Sequence, residues 1–160
     1  MRPIRDARPE DAAALAVVHA DAWAVGYAGQ FPADVLAAEV EYRRTAWDAG
    51  TVVASSSDDE VLLVAEDEEG VCGFVHGVPG QIGGLYVHPR AWGTGAAAAL
   101  TEAVLPRIGG DDVVLWTLEG SGRARRFYGR TGWLLTGAVR EREFLGGVTR
   151  RLVQYARRLP

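Results

Sequence analysis

The sequence predicts an α/β fold built on a mixed, mostly antiparallel sheet. Two pairs of apolar segments are separated by short turns, as in β-hairpins: residues 61–65 with 71–76, and residues 135–143 with 148–157. Between the two hairpins, an apolar strand, an alanine-rich helix and a second apolar strand follow one another. Because a helix connects these two strands, we expect them to lie parallel in the sheet.

The N-terminal part of the chain predicts two helices. Residues 3–5 favour a short first strand, and Pro9 with the two acids after it favours the start of a helix that ends near Gly26. A second apolar pattern predicts a helix over residues 31–50. Residues 51–60 are polar and turn-prone, so we expect a loop there.

The central strand, residues 82–88, follows an acidic run at 66–70 that we expect to be a solvated hairpin turn. Gly83 and Gly84 predict a bulge, which would splay the strand from its neighbour and free backbone N–H groups near Tyr86 and Val87. After the central helix, Pro106 removes a helical donor, so we expect a kink or an early end near Leu105. Residues 113–117 then predict a buried strand.

The loop between the central strand and its helix predicts a phosphate site. In Trp92-Gly93-Thr94-Gly95, the two glycines carry no side chain, so several N–H groups can converge on one point, and the start of the helix adds unpaired donors and a positive dipole end. The run from Gly93 to Ala98 also satisfies the dinucleotide fingerprint, with Glu119 placed to bind a ribose. Four residues, beginning with Pro89, separate the central strand from the glycines, which argues against a dinucleotide-binding site.

Composition and charge narrow the class of protein. The chain has 160 residues, 48% of them hydrophobic and 24% charged, which predicts one domain over residues 1–160. Its start lacks the apolar run of a signal peptide, no window reaches a membrane span, and the lone Cys72 fits a reducing compartment. We therefore expect a cytoplasmic protein without membrane association.

The charge is distributed unevenly along the chain. Residues 1–70 carry 5 Arg against 15 Asp and Glu, a net charge of −10, and residues 71–160 carry 12 Arg against 6 acids, a net charge of +6. The basic half holds the glycine-rich loop, so it is expected to attract a polyanionic ligand. The Arg125-Arg126 run is short and the whole chain is acidic, so we expect no nucleic-acid partner.

Two motifs resemble those of the GNAT superfamily of N-acetyltransferases. The order L-Y-V-H-P-x-x-x-G-x-G-x-A, from Leu85 to Ala97, is similar to the acyl-CoA-binding motif of that family, with Trp92 at the position of its Gln or Arg. Residues 121–133 resemble the second motif, N-x-x-A-x-x-F-Y-x-x-x-G-[F/W], with Ser121 in place of the Asn. The resemblance implies a GNAT-like fold: a mixed sheet splayed between two parallel strands, with helices on both faces.

The resemblance also implies transfer of an acetyl group from acetyl-CoA to a primary amine within a ternary complex, without a metal. It assigns the cofactor to one set of residues: Tyr86, Val87, Trp92, Gly93, Thr94, Gly95, Ala96, Ala97, Ser121 and Tyr128. It further makes Trp23 and Tyr27 candidates for acceptor contacts and Tyr128 the general acid. A free N–H near Val87 is the expected oxyanion donor.

The sequence leaves three properties undetermined: the residue that acts as general base, whether the protein is catalytic, and its oligomeric state. Gln81 stands where relatives often carry a Glu and cannot accept a proton, so Glu119, at the end of the next strand, is the named candidate, with His88 or water as alternatives. Gln81 and Ser121 also leave open a non-catalytic acyl-CoA-binding or regulatory module. The terminal hairpin is a possible site of homodimerisation. The acceptor, a small molecule or a peptide amine, is not identified by the sequence.

Overall fold

The structure is a computed structural model that describes residues 3–160. Within them, seven strands form one sheet: β1 (Ile4–Asp6), β2 (Val61–Asp67), β3 (Gly70–Val78), β4 (Gln81–Val87), β5 (Asp112–Leu118), β6 (Leu134–Glu143) and β7 (Thr149–Arg158). Five α-helices pack around it: α1 (Ala12–Gly26), α2 (Ala33–Thr45), α3 (Ala49–Ala54), α4 (Ala96–Ile108) and α5 (Gly122–Arg130).

The strand order in the sheet is β1-β2-β3-β4-β5-β7-β6, and every neighbouring pair is antiparallel except β4 with β5. The two predicted hairpins, β2–β3 and β6–β7, are confirmed, as is the parallel pair joined by a helix. The last strand, β7, lies between β5 and β6, so β6 and not the C-terminal strand forms this edge of the sheet.

The sheet is splayed between β4 and β5, as expected. These strands share a single registered pair, Gln81 with Val114. On its other side, β4 has an extra residue: His76 of β3 pairs with Gly84 and Gly77 pairs with Ile82, which leaves Gly83 as the bulged residue. A bulge increases local twist and bends the strand. Beyond Gln81 the two parallel strands therefore separate and leave a cleft through the sheet.

Helices cover both faces of the sheet. Leu100 and Val104 of α4 and Tyr128 of α5 are buried on one face, against Val75, Leu115 and other side chains of the strands. Helices α1 and α2 cover the other face, where Leu15 and Val18 pack on Phe74, and Trp23 packs with Phe31, Leu118 and Phe144. Burial of these apolar surfaces, worth about 25 cal/mol per Å², is the main contribution that fixes the layers.

Three local predictions were wrong. The loop predicted over residues 51–60 begins with residues 51–54 of helix α3, because Asp48 caps this helix by accepting a hydrogen bond from the Thr51 N–H at 2.8 Å and because Val52 is buried. Helix α4 continues past Pro106 to Ile108, because Ile108 is buried in the core at its last turn.

The third correction concerns the acidic hairpin turn. Strand β2 extends through Glu66 and Asp67, so only Glu68 and Glu69 lie between the strands. Glu66 pairs with Arg5, and Asp67 accepts a hydrogen bond from Arg90 Nε at 3.2 Å. The first two acids therefore pair with arginines instead of being solvated at a hairpin tip.

A buried ion pair fastens α2 to the tip of the β6–β7 hairpin. Glu39 and Arg43, one turn apart, are 3% and 4% exposed and bond to each other. The second Glu39 oxygen accepts the Leu145 N–H at 2.6 Å, and the Arg43 guanidinium lies 3.5 Å from the centre of the Trp23 ring. The pair thus holds α1, α2 and the hairpin tip together on the face covered by α1 and α2.

Candidate active site

A cavity of about 240 Å³ occupies the cleft where β4 and β5 separate. It has two halves on opposite faces of the sheet. The loop half is lined by residues that follow β4 or belong to α4 and α5, among them Trp92, Ala97, Ser121, Arg123 and Tyr128. The aromatic half is lined by Trp23, Tyr27, Tyr86, Trp116 and Phe144, together with Arg140 and Arg142. The cavity therefore connects the two faces of the sheet through the splayed strands.

The glycine-rich loop has the backbone conformation that an anion site requires. Gly93 and Gly95 lie at φ 75° and 88°, in the left-handed region that side chains rarely adopt. Between them, the Thr94 hydroxyl donates to the Ala91 carbonyl at 2.5 Å, which fixes the turn. The loop thus reverses direction between two glycines and delivers the chain into α4.

Five N–H groups of this segment donate to no carbonyl among residues 3–160. They are those of Gly93, Gly95, Ala96, Ala97 and Ala98, since the first helical bond of α4 runs from Ala99 N–H to the Gly95 carbonyl at 3.0 Å. Gly95, at the N-cap, supplies no side-chain acceptor. Unpaired donors and the positive end of a helix dipole are the features that favour a phosphate or pyrophosphate.

The edge of β4 beside the loop presents the Val87 backbone to the cleft. The His88 N–H donates to the carbonyl of Cys72 in β3 at 2.7 Å, so His88 and Tyr86 point their N–H groups toward β3. Leu85 and Val87 then point theirs toward β5, into the gap. Of the two residues near which a free N–H was expected, Val87 directs its N–H into the gap. Tyr86 directs its N–H toward β3, and it lines the cavity with its ring.

Trp92 covers part of this edge. Its indole N–H donates to the Val87 carbonyl at 2.8 Å, and the Arg123 guanidinium lies 3.2 Å from the centre of its ring. The Trp92 ring also lies near the end of α1, where a Cβ added at Gly26 would be 4.0 Å from Trp92 Cζ2. The indole thus bridges the loop, β4 and α5, and a ligand arm that ran along β4 would have to displace it from the Val87 carbonyl.

Tyr128 and Ser121 face the loop half from α5 and its N-cap. Tyr128 is 8% exposed, and burial raises the pKa of its phenol well above the ordinary value of 10, with smaller effects from Tyr86 and Tyr155. It therefore keeps its proton at neutral pH. Ser121 is buried, lines the cavity and does not cap α5 with its side chain, so its hydroxyl is available to a ligand.

Glu119 is not brought to the cavity, in contrast to the role predicted for it. Its side chain is 48% exposed, its carboxylate lies 3.8 Å from Arg151, and the cavity lining passes from Leu118 to Ser121 without it. The turn after β5 directs the carboxylate to the surface. Gln81 lines the cavity, and the lining contains no Asp or Glu. The cavity therefore offers no carboxylate as a general base.

Trp23 and Tyr27, predicted from sequence to contact an acceptor, both line the aromatic half. Their ring centres are 4.3 Å apart, and burial raises the pKa of Tyr27 well above its usual value. Sequence reasoning missed Trp116, Arg140 and Arg142 in this half. The missed signal was the regular alternation of Arg140 and Arg142 with acids along β6, which places both arginines on one face.

The arginines of α5 give the loop half its positive charge. Three of them form no ion pair with residues 3–160: Arg123, Arg126 and Arg130. Burial lowers the pKa of Arg123, and the positive charges of Arg126 and Arg130 lower it further. Arg125 bonds to the Tyr155 hydroxyl at 3.1 Å, and Arg90 pairs with Asp67. The unpaired set is thus the one available to an anionic ligand.

Two further properties bear on the kind of site. Among residues 3–160, no three His, Cys, Asp or Glu side chains are grouped so that they could hold a metal ion. In the same range, no helix has the length and apolar character needed to cross a membrane.

Comparison with known proteins shows what part of the chain is similar to. Residues 58–133, from just before β2 to just after α5, match the family model described as Acetyltransferase (GNAT) domain. This segment contains both sequence motifs, the bulged strand and the anion loop. Residues 58–133 are thus similar to GNAT acetyltransferase domains, as the motifs predicted. A comparison with curated proteins gives no significant match.

Solved structures share the whole fold at low sequence identity. The PaiA N-acetyltransferase of Thermoplasma acidophilum, in complex with coenzyme A, is 17% identical with a TM-score of 0.75, and 99% of each chain is covered. A ribosomal-protein-alanine N-acetyltransferase of Brucella melitensis is 20% identical with a TM-score of 0.69, over 98% of this chain and 99% of that one. A GNAT-family acetyltransferase of Streptococcus pneumoniae is 18% identical, with a TM-score of 0.68 and coverage of 99% and 100%. These likenesses show the fold.

Proposed function

We propose that this protein transfers an acetyl group from acetyl-CoA to a primary amine by direct attack within a ternary complex. The observation that carries the proposal is the set of five unpaired N–H groups from Gly93 to Ala98, adjacent to the open edge of β4 and facing Tyr128. This arrangement provides for each part of an acyl-CoA: an anion site, a strand edge and a proton-bearing phenol. The coenzyme A bound to the Thermoplasma relative supports it.

The residues of the cavity fit the two ends of acetyl-CoA. The pyrophosphate would be held by the loop and the start of α4, and the arginines of α5 would add attraction for the phosphates. The amide-rich arm would follow β4 after displacing the Trp92 indole, and Ser121 would contact it from the opposite side. The fit requires no metal ion, because the donors are N–H groups and guanidinium ions.

The transfer forms one carbon–nitrogen bond and breaks one carbon–sulfur bond. The Val87 N–H stabilises the charge that develops on the carbonyl oxygen, a contribution of about 2.7 to 4 kcal/mol for a single well-placed donor. The attacking nitrogen loses a proton, and the departing sulfur gains one. Because no carboxylate lines the cavity, water accepts the first proton, and the fraction of neutral amine sets the pH dependence of the rate.

Tyr128 acts on the departing sulfur as a hydrogen-bond donor. Because its raised pKa opposes complete proton transfer, its main contribution is a hydrogen bond to the developing thiolate, with the proton passed on from water. We expect Tyr128→Phe to lower kcat about tenfold with little change in the KM for acetyl-CoA, measured by thiol release. Tyr155→Phe, at a second buried tyrosine 5.5 Å from the Tyr128 ring centre, is the control. Equal effects of the two variants would contradict this role.

The anion loop can be tested with a matched pair of glycines. Gly95 and Gly137 lie at φ 88° and 89°, and a Cβ at either position would meet no atom within 4 Å. Valine at either position therefore adds similar backbone strain, but only Gly95→Val displaces the N–H donors. We expect Gly95→Val to weaken acetyl-CoA binding by about 10 to 100-fold, the loss of roughly one charge-assisted hydrogen bond, when measured by calorimetry. Equal affinities of the two variants would exclude the loop as the site.

The proposed activity itself is tested by two measurements on the purified protein. Acetyl-CoA at 100 times its dissociation constant is expected to stabilise the fold by about 2.7 kcal/mol, visible as a thermal shift. Thiol release is then measured with a panel of primary amines. A shift without thiol release for any amine would indicate a non-catalytic acyl-CoA-binding module, and a shift with NADH instead would indicate a dinucleotide-binding protein.

A further inference from the structure

The aromatic half of the cavity carries positive charge without a balancing negative charge. Arg140 and Arg142 of β6 line it, together with Trp116 and Phe144, and no carboxylate does. A cavity built for a purely cationic amine would be expected to present acids or rings alone, because an arginine repels an ammonium group. The charge of this half therefore favours a ligand that brings an anion with it.

The pairing of β6 with β7 concentrates this charge further. Arg142 lies directly opposite Arg150, and Arg140 lies opposite Leu152. Directly opposite residues of an antiparallel pair share one face of the sheet, where like charges destabilise the pair. Arg140, Arg142 and Arg150 thus form a basic patch on the face covered by α1 and α2. An anion bound there would relieve the repulsion between Arg142 and Arg150.

The two guanidinium groups that line the aromatic half of the cavity are held in place by ring stacking but have no ionic partner in the described part of the chain. Arg140 lies 4.4 Å from the centre of the Trp116 ring and Arg142 lies 4.6 Å from that of Phe144. Neither forms an ion pair or a hydrogen bond with residues 3–160, unlike Arg157, which reaches Glu102 at 2.7 Å. Stacking holds each group over a wall of the cavity and leaves its N–H fork open for a bidentate acceptor.

We propose that the acceptor is a small amine that also carries an anionic group, such as the carboxylate of an α-amino acid or a phosphonate in its place. Its anion binds Arg140 and Arg142, its apolar part lies against Trp116 and Phe144, and its amine points through the sheet toward Val87. This inference rests on the proposed acetyl transfer for the direction of the amine. The anion-binding part stands on the basic patch itself.

The first test measures binding and needs no turnover. In the presence of CoA, tryptophan fluorescence is titrated with N-acetyl-L-phenylalanine and with N-acetylphenethylamine, which differ only in the carboxylate. The acid is expected to bind at least tenfold more tightly. Equal affinities, or tighter binding of the neutral amide, would overturn the proposal, whether or not the protein catalyses transfer.

The second test measures transfer. L-amino acids, aminomethylphosphonate and the decarboxylated amines are compared as acceptors by thiol release at saturating acetyl-CoA, and the anionic acceptors are expected to have the higher kcat/KM by at least tenfold. Preference for amines without an anionic group would overturn the acceptor class while supporting the transferase. Absence of release with every amine would refute the proposed function, and the binding test would then decide the anion site.

Variants on the two faces of β6 separate the patch from general charge effects. Arg140→Gln and Arg142→Gln are each expected to raise the KM or dissociation constant of the anionic ligand about tenfold, with unchanged acetyl-CoA affinity. Glu141→Gln, between them on the opposite face, is the matched control and should leave both constants unchanged. The proposal is excluded if the arginine variants bind the acid as tightly as the unaltered protein.

Discussion

Acidification from pH 6.5 to pH 3 is expected to cost this fold up to about 5 kcal/mol through His19 alone. Burial, and to a lesser extent the charge of Arg43, lowers the pKa of His19 to about 3. Its Nδ1 accepts the Trp47 indole N–H at 3.1 Å, and its ring centre lies 4.4 Å from that of Tyr86. The neutral imidazole is therefore the form that the packing requires.

The sign of the effect follows from proton linkage. The unfolded chain protonates His19 near its ordinary pKa of 6.5, whereas the folded protein does not until about pH 3. Within that window the unfolded state binds more protons, so the free energy of unfolding falls by about 1.4 kcal/mol per pH unit as the pH is lowered. Above pH 6.5 His19 contributes no pH dependence. At about 5 kcal/mol, the loss is comparable to the whole stability of many domains.

Urea unfolding between pH 6.5 and pH 4.5 measures this prediction. The window stays above the range in which Asp11, whose pKa is lowered mainly by Arg5, begins to contribute. His19→Gln retains an acceptor for the Trp47 N–H but cannot titrate. As the pH is lowered, the free energy of unfolding of this variant should therefore fall more slowly than that of the unaltered protein, with slopes that differ by up to about 1.4 kcal/mol per pH unit. Parallel curves for the two proteins would disprove the prediction. An NMR titration of the His19 ring gives the pKa directly.

Replacing Glu39 by alanine is expected to lower the free energy of unfolding by about 3 to 5 kcal/mol, the usual cost of leaving one member of a buried ion pair uncompensated. Arg43, which is 4% exposed, would lose its ionic partner, and the Leu145 N–H would lose its acceptor. Because Arg43 also stacks on Trp23, the aromatic half of the cavity should loosen at the same time. Urea unfolding followed by circular dichroism measures the change.

Two comparisons identify the buried pair as the cause. Glu41→Ala removes an exposed acid of the same helix, 3.6 Å from Arg44, and should change stability by no more than about 0.5 kcal/mol. Glu39→Leu combined with Arg43→Met removes both charges and should recover most of the loss, because apolar residues of similar volume can replace a buried pair. A loss below about 1 kcal/mol in Glu39→Ala would show that the pair does not hold α2 in place.

Much of the loop half of the cavity could be predicted from the sequence, because the residues that shape it act on the backbone close to their own positions. Gly93 and Gly95 determine the loop by their own backbone freedom, Gly83 determines the bulge, and Tyr128 sits in a short contiguous motif. Residues 58–133, which contain these features, match the model of a GNAT acetyltransferase domain. Where local signals compete, the sequence was less informative: the Asp48 cap and the burial of Val52 turned a polar stretch into α3.

By itself, the sequence predicted the two hairpins, the parallel strands with their connecting helix, the glycine-rich loop and the class of fold, because turn residues, glycine conformations and apolar periodicity act over a few neighbouring positions. Only the tertiary structure decided which side chains line the aromatic half of the cavity. The insertion of β7 between β5 and β6 sets Arg142 opposite Arg150 and brings Arg140 over Trp116, residues 24 positions apart in the chain. The pairing of β5 with β7 also places the Glu119 carboxylate 3.8 Å from Arg151, outside the lining of the cavity. Such contacts depend on which strands become neighbours, and no local pattern specifies that.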